Sequence, residues 1–205
     1  MTDYFALLEV PRSPWLDDET LKQKFLVLSG RWHPDRVHEG GESAHAAAQA
    51  QFSMINAAYQ CLRDPKNRLR HLLMLERGAP PADLQPIEPE LMSLFQRVDE
   101  VCGRADRILR ARRGMTSRLL QVQWLEESQQ YLPTLLDLEG EVRAHDQRLQ
   151  EELRRIGITW TQEDATEISR AALLGRLEAL YRGFGFLKRW KEQLQERRVG
   201  LQTPG

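Results

Sequence analysis

Cysteine is scarce in this 205-residue sequence: Cys61 and Cys102 are the two present, far apart and in no CxxC pair. That spacing indicates neither a zinc knuckle nor a disulfide framework, and a reducing compartment is the expected setting. Long apolar runs are missing as well. No stretch approaches the roughly 18 consecutive apolar residues of a membrane-spanning helix, and the first residues have neither the apolar core of a secretion signal nor an Arg-rich presequence. A cytoplasmic protein is expected. An excess of charge of one sign is absent, with 29 Lys and Arg against 30 Asp and Glu and a formal net charge of −1. The whole chain therefore gives no argument for nucleic acid or a membrane surface, and electrostatic recognition has to be local. The five histidines, at 33, 38, 45, 71 and 145, fall into no HExxH or triad-like pattern. No enzyme, metal or cofactor is expected.

What is present is helical periodicity. The composition, 41% hydrophobic and 29% charged, can bury a real core in one large domain or two small ones. Leu21, Phe25, Leu28 and Trp32 are spaced 4, 3 and 4, one face of a helix expected over 18–32. Asp17, Asp18 and Glu19 supply an N-cap candidate and favourable charge at its start. Pro34 forces its end near His33. Lys24 and Arg31 each precede a seam position and lie seven residues apart, so they share a stripe beside the buried face, with Arg36 just past the turn. After Gly40-Gly41, with Ser43 as a possible cap, Ala48, Phe52, Ile55, Tyr59 and Leu62 repeat the spacing. Two matching seams joined by an exposed loop make an antiparallel helical hairpin with His33-Pro34-Asp35 at its tip. Trp32 and Tyr59 are expected as core aromatics, and Asn56 as a partner for loop backbone groups.

These residues resemble the J domain of the DnaJ-type co-chaperones. The resemblance is carried by Asp3-Tyr4-Phe5-Ala6-Leu7-Leu8, the His33-Pro34-Asp35 loop, and the run from Ile55 through Asn56, Tyr59 and Leu62 to Asp64-Pro65, in that order. It implies docking on the ATPase domain of a DnaK-type chaperone. His33, Pro34 and Asp35 would form the stimulating loop, and Lys24, Arg31 and Arg36 would meet acidic groups on the chaperone.

Around the hairpin, residues 3–10 read as a short apolar helix. Asp64 and Pro65 start another that Gly78 ends. Pro80, Pro81, Pro86 and Pro89 make 79–88 a stiff connector between a domain at 1–78 and a second at 89–197. In the second, Glu88 caps a helix with Pro89 at its first position, Ile87 and Met92 form a staple, and the expected seam is Leu91, Phe95, Val98, Cys102, Ala105 and Leu109. Gly114 marks a break, Pro133 a kink or restart, and Gly157 an end. Thr161 and Asp164 have capping-box spacing before a last helix, weakened by Gly183 and Gly185. The reading is an all-α chain: a J-like domain followed by a bundle of three long helices, with 198–205 a disordered tail.

The Gly/Phe-rich linker and zinc-binding cysteines of general DnaJ proteins are missing. The early His-Pro-Asp loop, Leu72-Leu73-Met74-Leu75 and the following helical domain resemble instead the HscB-type co-chaperones of iron–sulfur cluster assembly, as far as about Val101. This implies an HscA-like ATPase as chaperone partner and an IscU-like scaffold protein as client. The scaffold would be held by Leu91, Met92, Phe95 and Asp99, of which Leu91 and Phe95 also lie on the expected core seam. Gln96 stands where an acid is expected. Left open are a J protein for another client and a structural helical-bundle protein.

Overall fold

The computed structural model describes residues 2–33, 41–81, 88–160 and 167–203. Seven helices and no strand occur among them: α1 (Tyr4–Leu7), α2 (Asp18–Arg31), α3 (Gly41–Arg63), α4 (Pro65–Arg77), α5 (Pro89–Ala111), α6 (Arg118–Trp160) and α7 (Glu167–Gln202). The architecture is all-α, as the periodicity requires.

Helix ends follow local chemistry. Asp3 caps α1 by accepting from the backbone N–H of Phe5 and Ala6. This helix is shorter than 3–10, because the chain turns through Glu9 with φ 53° before Pro11. Asp64 caps α4 by accepting from Asn67 N–H, Pro65 stands at the start, and Gly78 closes it in the left-handed conformation at φ 72°. Helix α3 begins at Gly41, so Ser43 lies inside it rather than capping it. Asn56 donates to Phe52 O at 3.0 Å, one turn back along α3, instead of serving the loop. Helix α6 continues through Pro133 and past Gly157 to Trp160, and α7 runs unbroken through Gly183 and Gly185. The candidate cap residues Thr161 and Asp164, and Ile87 of the staple, lie outside the described residues.

The chain packs as two compact units, one of Met1–Asp83 with Glu151–Arg182, the other of Leu84–Gln150 with Gly183–Gly205. This differs from a division at 79–88, and the contacts supply the reason. Gly157 lies so close to the α1–α2 segment that a Cβ would come within 2.7 Å of Trp15 Cβ. Trp160 Nε1 donates to Arg12 O at 2.8 Å, and Arg154 lies over the Trp15 ring. Arg77 pairs with the buried Glu178 at 2.8 Å and Arg170 with Glu76 at 3.0 Å. The stretch 151–182 thus completes the N-terminal unit, around a centre of Phe5, Leu8, Leu21, Ile55, Leu62, Leu69 and Leu72.

In the second unit α5 buries Leu91, Leu94, Val98, Cys102, Ala105 and Ile108. Leu94 and Ile108 take the places expected for Phe95 and Leu109: Phe95 is exposed and Leu109 half-buried. They pack with Trp124, Tyr131, Leu135, Leu138 and Val142 of α6 and Leu187, Trp190 and Leu194 of α7. Leu201 is buried in the same cluster and α7 continues to Gln202, within the stretch 198–205 that was expected as a disordered tail; residues 204 and 205 lie outside the described residues. Gly183 is a packing position here, since a Cβ would approach Leu149 Cδ1 to 2.8 Å.

Candidate functional site

Asp17 fixes where α2 begins. Its carboxylate accepts from both the backbone N–H and the hydroxyl of Thr20 at 2.8 Å, and these hydrogen bonds hold its pKa below the ordinary range. Asp18 and Glu19 follow in the first turn, where negative charge complements the helix dipole. The last turn closes with Trp32 N–H donating to Leu28 O at 3.2 Å. Leu21 and Leu28 are buried, Phe25 stacks on Tyr59 with centroids 4.2 Å apart, and His33 meets Phe52 edge-on at 5.5 Å. Numbering rises along α2 while it falls along α3, so the pair is antiparallel. Trp32, expected in the core, is 37% exposed, because as the C-cap it stands past the last residue on the helix's regular face.

His33 is therefore an exposed residue at the mouth of the hairpin, its ring seated on α3. Pro34, Asp35 and Arg36 lie outside the described residues. Arg31 is exposed. Lys24 pairs with Glu9 at 3.1 Å, both side chains about half in solvent. Such an exposed pair contributes only about 0–1 kcal/mol, so a carboxylate on another surface can compete for Lys24. Between the two cations on the same stripe lies Val27, 60% exposed. Sequence reasoning missed it; the signal was an apolar residue three positions after Lys24 and off the buried seam.

A second candidate surface lies on α5. Met92, Phe95 and Asp99 are spaced 3 and 4 on one stripe, and all are exposed. Phe95 touches the edge of the core through Trp190, with ring centroids 6.3 Å apart. Leu91 does not join them: it is 7% exposed, its side chain spent on the core with Leu94 and Val98. The stripe is apolar with one carboxylate at its end, suited to a partner offering an apolar patch and a cation.

Burial pushes the thiols of Cys61 and Cys102 up, away from the reactive thiolate. Among the described residues no three His, Cys, Asp or Glu side chains converge on a common point, and no helix is long and apolar enough to cross a membrane.

Comparison with known proteins fits this geometry. Residues 3–71 match the DnaJ domain family, a span running from the Asp3 cap through the hairpin into α4. The chaperone HscB from Vibrio cholerae superposes with a TM-score of 0.62 at 20% identity, covering 98% of this chain and 99% of that one. The human co-chaperone protein HscB gives 0.65 at 15% identity, covering 97% of this chain and 83% of that one. At such identities the likeness is one of fold, and it extends over nearly the whole chain.

Proposed function

Because the chain carries a DnaJ domain within the HscB fold, we propose that it is a co-chaperone that stimulates ATP hydrolysis by a DnaK-type, HscA-like chaperone and delivers an IscU-like iron–sulfur scaffold protein to it. It performs no covalent chemistry itself and works in the cytoplasm. The observation that carries this reading is His33 at the end of α2, directly beyond a stripe of Lys24, Val27 and Arg31. The cations speed encounter with an acidic surface and make it sensitive to salt, while Val27 gives the docked helix an apolar contact. Such recognition suits a partner that must be released after each turnover. The chaperone does the hydrolysis, and the loop from His33 through Pro34 and Asp35 biases its ATPase domain toward the hydrolysing state. Met92, Phe95 and Asp99 receive the scaffold, with Leu91 holding that stretch of helix in place from the core side.

The test is single-turnover ATP hydrolysis by the cognate DnaK-type chaperone. Wild-type protein should raise the rate, His33→Gln should abolish the increase, and the IscU-like scaffold should enhance it further with wild type only. Absence of stimulation by either form would refute the co-chaperone role. Stimulation without any effect of scaffold would mean that the client is a different protein.

A further inference from the structure

We propose that the cleft at the turn between α5 and α6 is a docking site for an acidic, apolar segment of a partner protein. The inference stands independently of the chaperone reading. Gly114, at φ 83°, reverses the chain here and opens a cleft of about 570 Å³, within the size range of ligand sites. Its floor is Trp124 and Met115, its wall Val122 and Leu125, and its rim Arg112 and Arg118. The floor is fixed before anything binds: Trp124 Nε1 donates to Ile108 O at 2.8 Å, and the Arg112 guanidinium covers the indole 4.9 Å from its centroid while donating to Thr203 O. A preformed site binds without the cost of ordering it.

Around the cleft Leu119 is 67% exposed, Val122 53% and Leu125 40%, a run of apolar surface that a helix normally turns inward. Among the described residues no carboxylate lines the cleft, and Arg110 and Arg113 stand exposed nearby. Helix α6 also opens with Arg118 and has no acidic residue in its first turn, so its own side chains leave the positive end of its dipole uncompensated. An apolar floor under a guanidinium rim is the complement of a peptide carrying large apolar side chains between carboxylates, which arginine grips in bidentate fashion. The concavity favours a peptide over an anionic bilayer. Trp124, 6% exposed beneath Arg112, is set back from the surface, while the lining side chains of Val122 and Leu125 are open to an inserted side chain.

The experiment is selection from a random phage-displayed peptide library on the full-length protein, followed by fluorescence anisotropy of the enriched peptides with wild type, Arg118→Glu and Val122→Asp. Both substitutions fall on exposed positions, and circular dichroism should show unchanged helicity. The expected result is enrichment of sequences that combine Leu or Phe with Asp or Glu, and a loss of affinity of about tenfold or more in Arg118→Glu and Val122→Asp. If Val122→Asp fails to fold, Arg118→Glu decides alone. Enrichment of neutral or basic peptides, no enrichment, or affinity unchanged in Arg118→Glu would overturn the proposal. So would flotation of the protein with phosphatidylserine vesicles that Arg118→Glu abolishes, which would assign the surface to a membrane.

Discussion

Two buried polar residues hold the N-terminal unit together in ways that a titration and a substitution can expose. His71 accepts the Tyr4 N–H at Nε2, 3.0 Å away, and stacks against the Tyr4 and Phe5 rings at 4.6 and 5.7 Å. That hydrogen bond needs the neutral imidazole. Burial lowers the pKa of His71 from its ordinary 6.5, against an opposing pull from Asp3 and with reinforcement from Arg12. The unfolded chain therefore takes up this proton at higher pH than the native one. The His71 contribution to stability should be full above about pH 6.5 and decline as pH falls from there toward the lowered native value. Urea unfolding across that window should show the decline in wild type, and His71→Gln should flatten it; an equal slope in both would refute the assignment. Arg68, 3% exposed, donates to Pro14 O at 2.9 Å and Leu62 O at 2.7 Å, and burial brings its pKa down to about 10. Removing it leaves two buried carbonyls unpaired, so Arg68→Ala should cost about 3 kcal/mol in urea unfolding.

At the scale of helices, the glycines separate into two kinds. Gly157 and Gly183 are positions of close approach, where a methyl would meet Trp15 Cβ at 2.7 Å and Leu149 Cδ1 at 2.8 Å, whereas Gly103 has open space around its missing Cβ. Gly157→Ala, facing a Cβ that cannot swing away, should lower stability by about 2 kcal/mol. Gly103→Ala, inside α5, should raise it by about 0.5–1 kcal/mol. Thermal denaturation of the two variants checks the signs; the same sign for both would contradict this distinction. A sequence cannot separate these cases, since Gly157 reads as a helix end and Gly183 as a weak point until the opposing residue is known. What was legible were the features set by local chemistry: the Asp17 and Asp64 caps, Pro65, Gly78, and the seam of Leu21, Leu28, Ile55 and Leu62. The α5 seam was legible only in part. Leu91, Val98, Cys102 and Ala105 were placed correctly, but adjacent apolar residues such as Leu94 and Phe95 compete for one face, and the packing partner decides between them.

Over the whole molecule, the two matching seams and Pro34 gave the hairpin and the position of His33, but neither they nor the DnaJ resemblance gave the extent of the N-terminal unit. Glu151–Arg182 belongs to it through contacts such as Trp160 with Arg12 and Arg77 with Glu178, which join residues more than a hundred positions apart. No local pattern announces such pairings, whereas composition does show the Pro-rich 79–88. Val27 was hidden, and Phe95 was read both as a scaffold contact and as a core position, for a related reason, because exposure is a property of the packed chain. We propose that one chain carries two separable surfaces, the His33 end of α2 for the chaperone and the Met92–Phe95–Asp99 stripe for the scaffold. The most direct test is single-turnover ATP hydrolysis by the HscA-like chaperone, with and without scaffold, using a Met92→Glu/Phe95→Glu double variant. This variant should keep the basal stimulation of wild type and lose the enhancement by scaffold. Enhancement undiminished in the double variant would contradict the proposal.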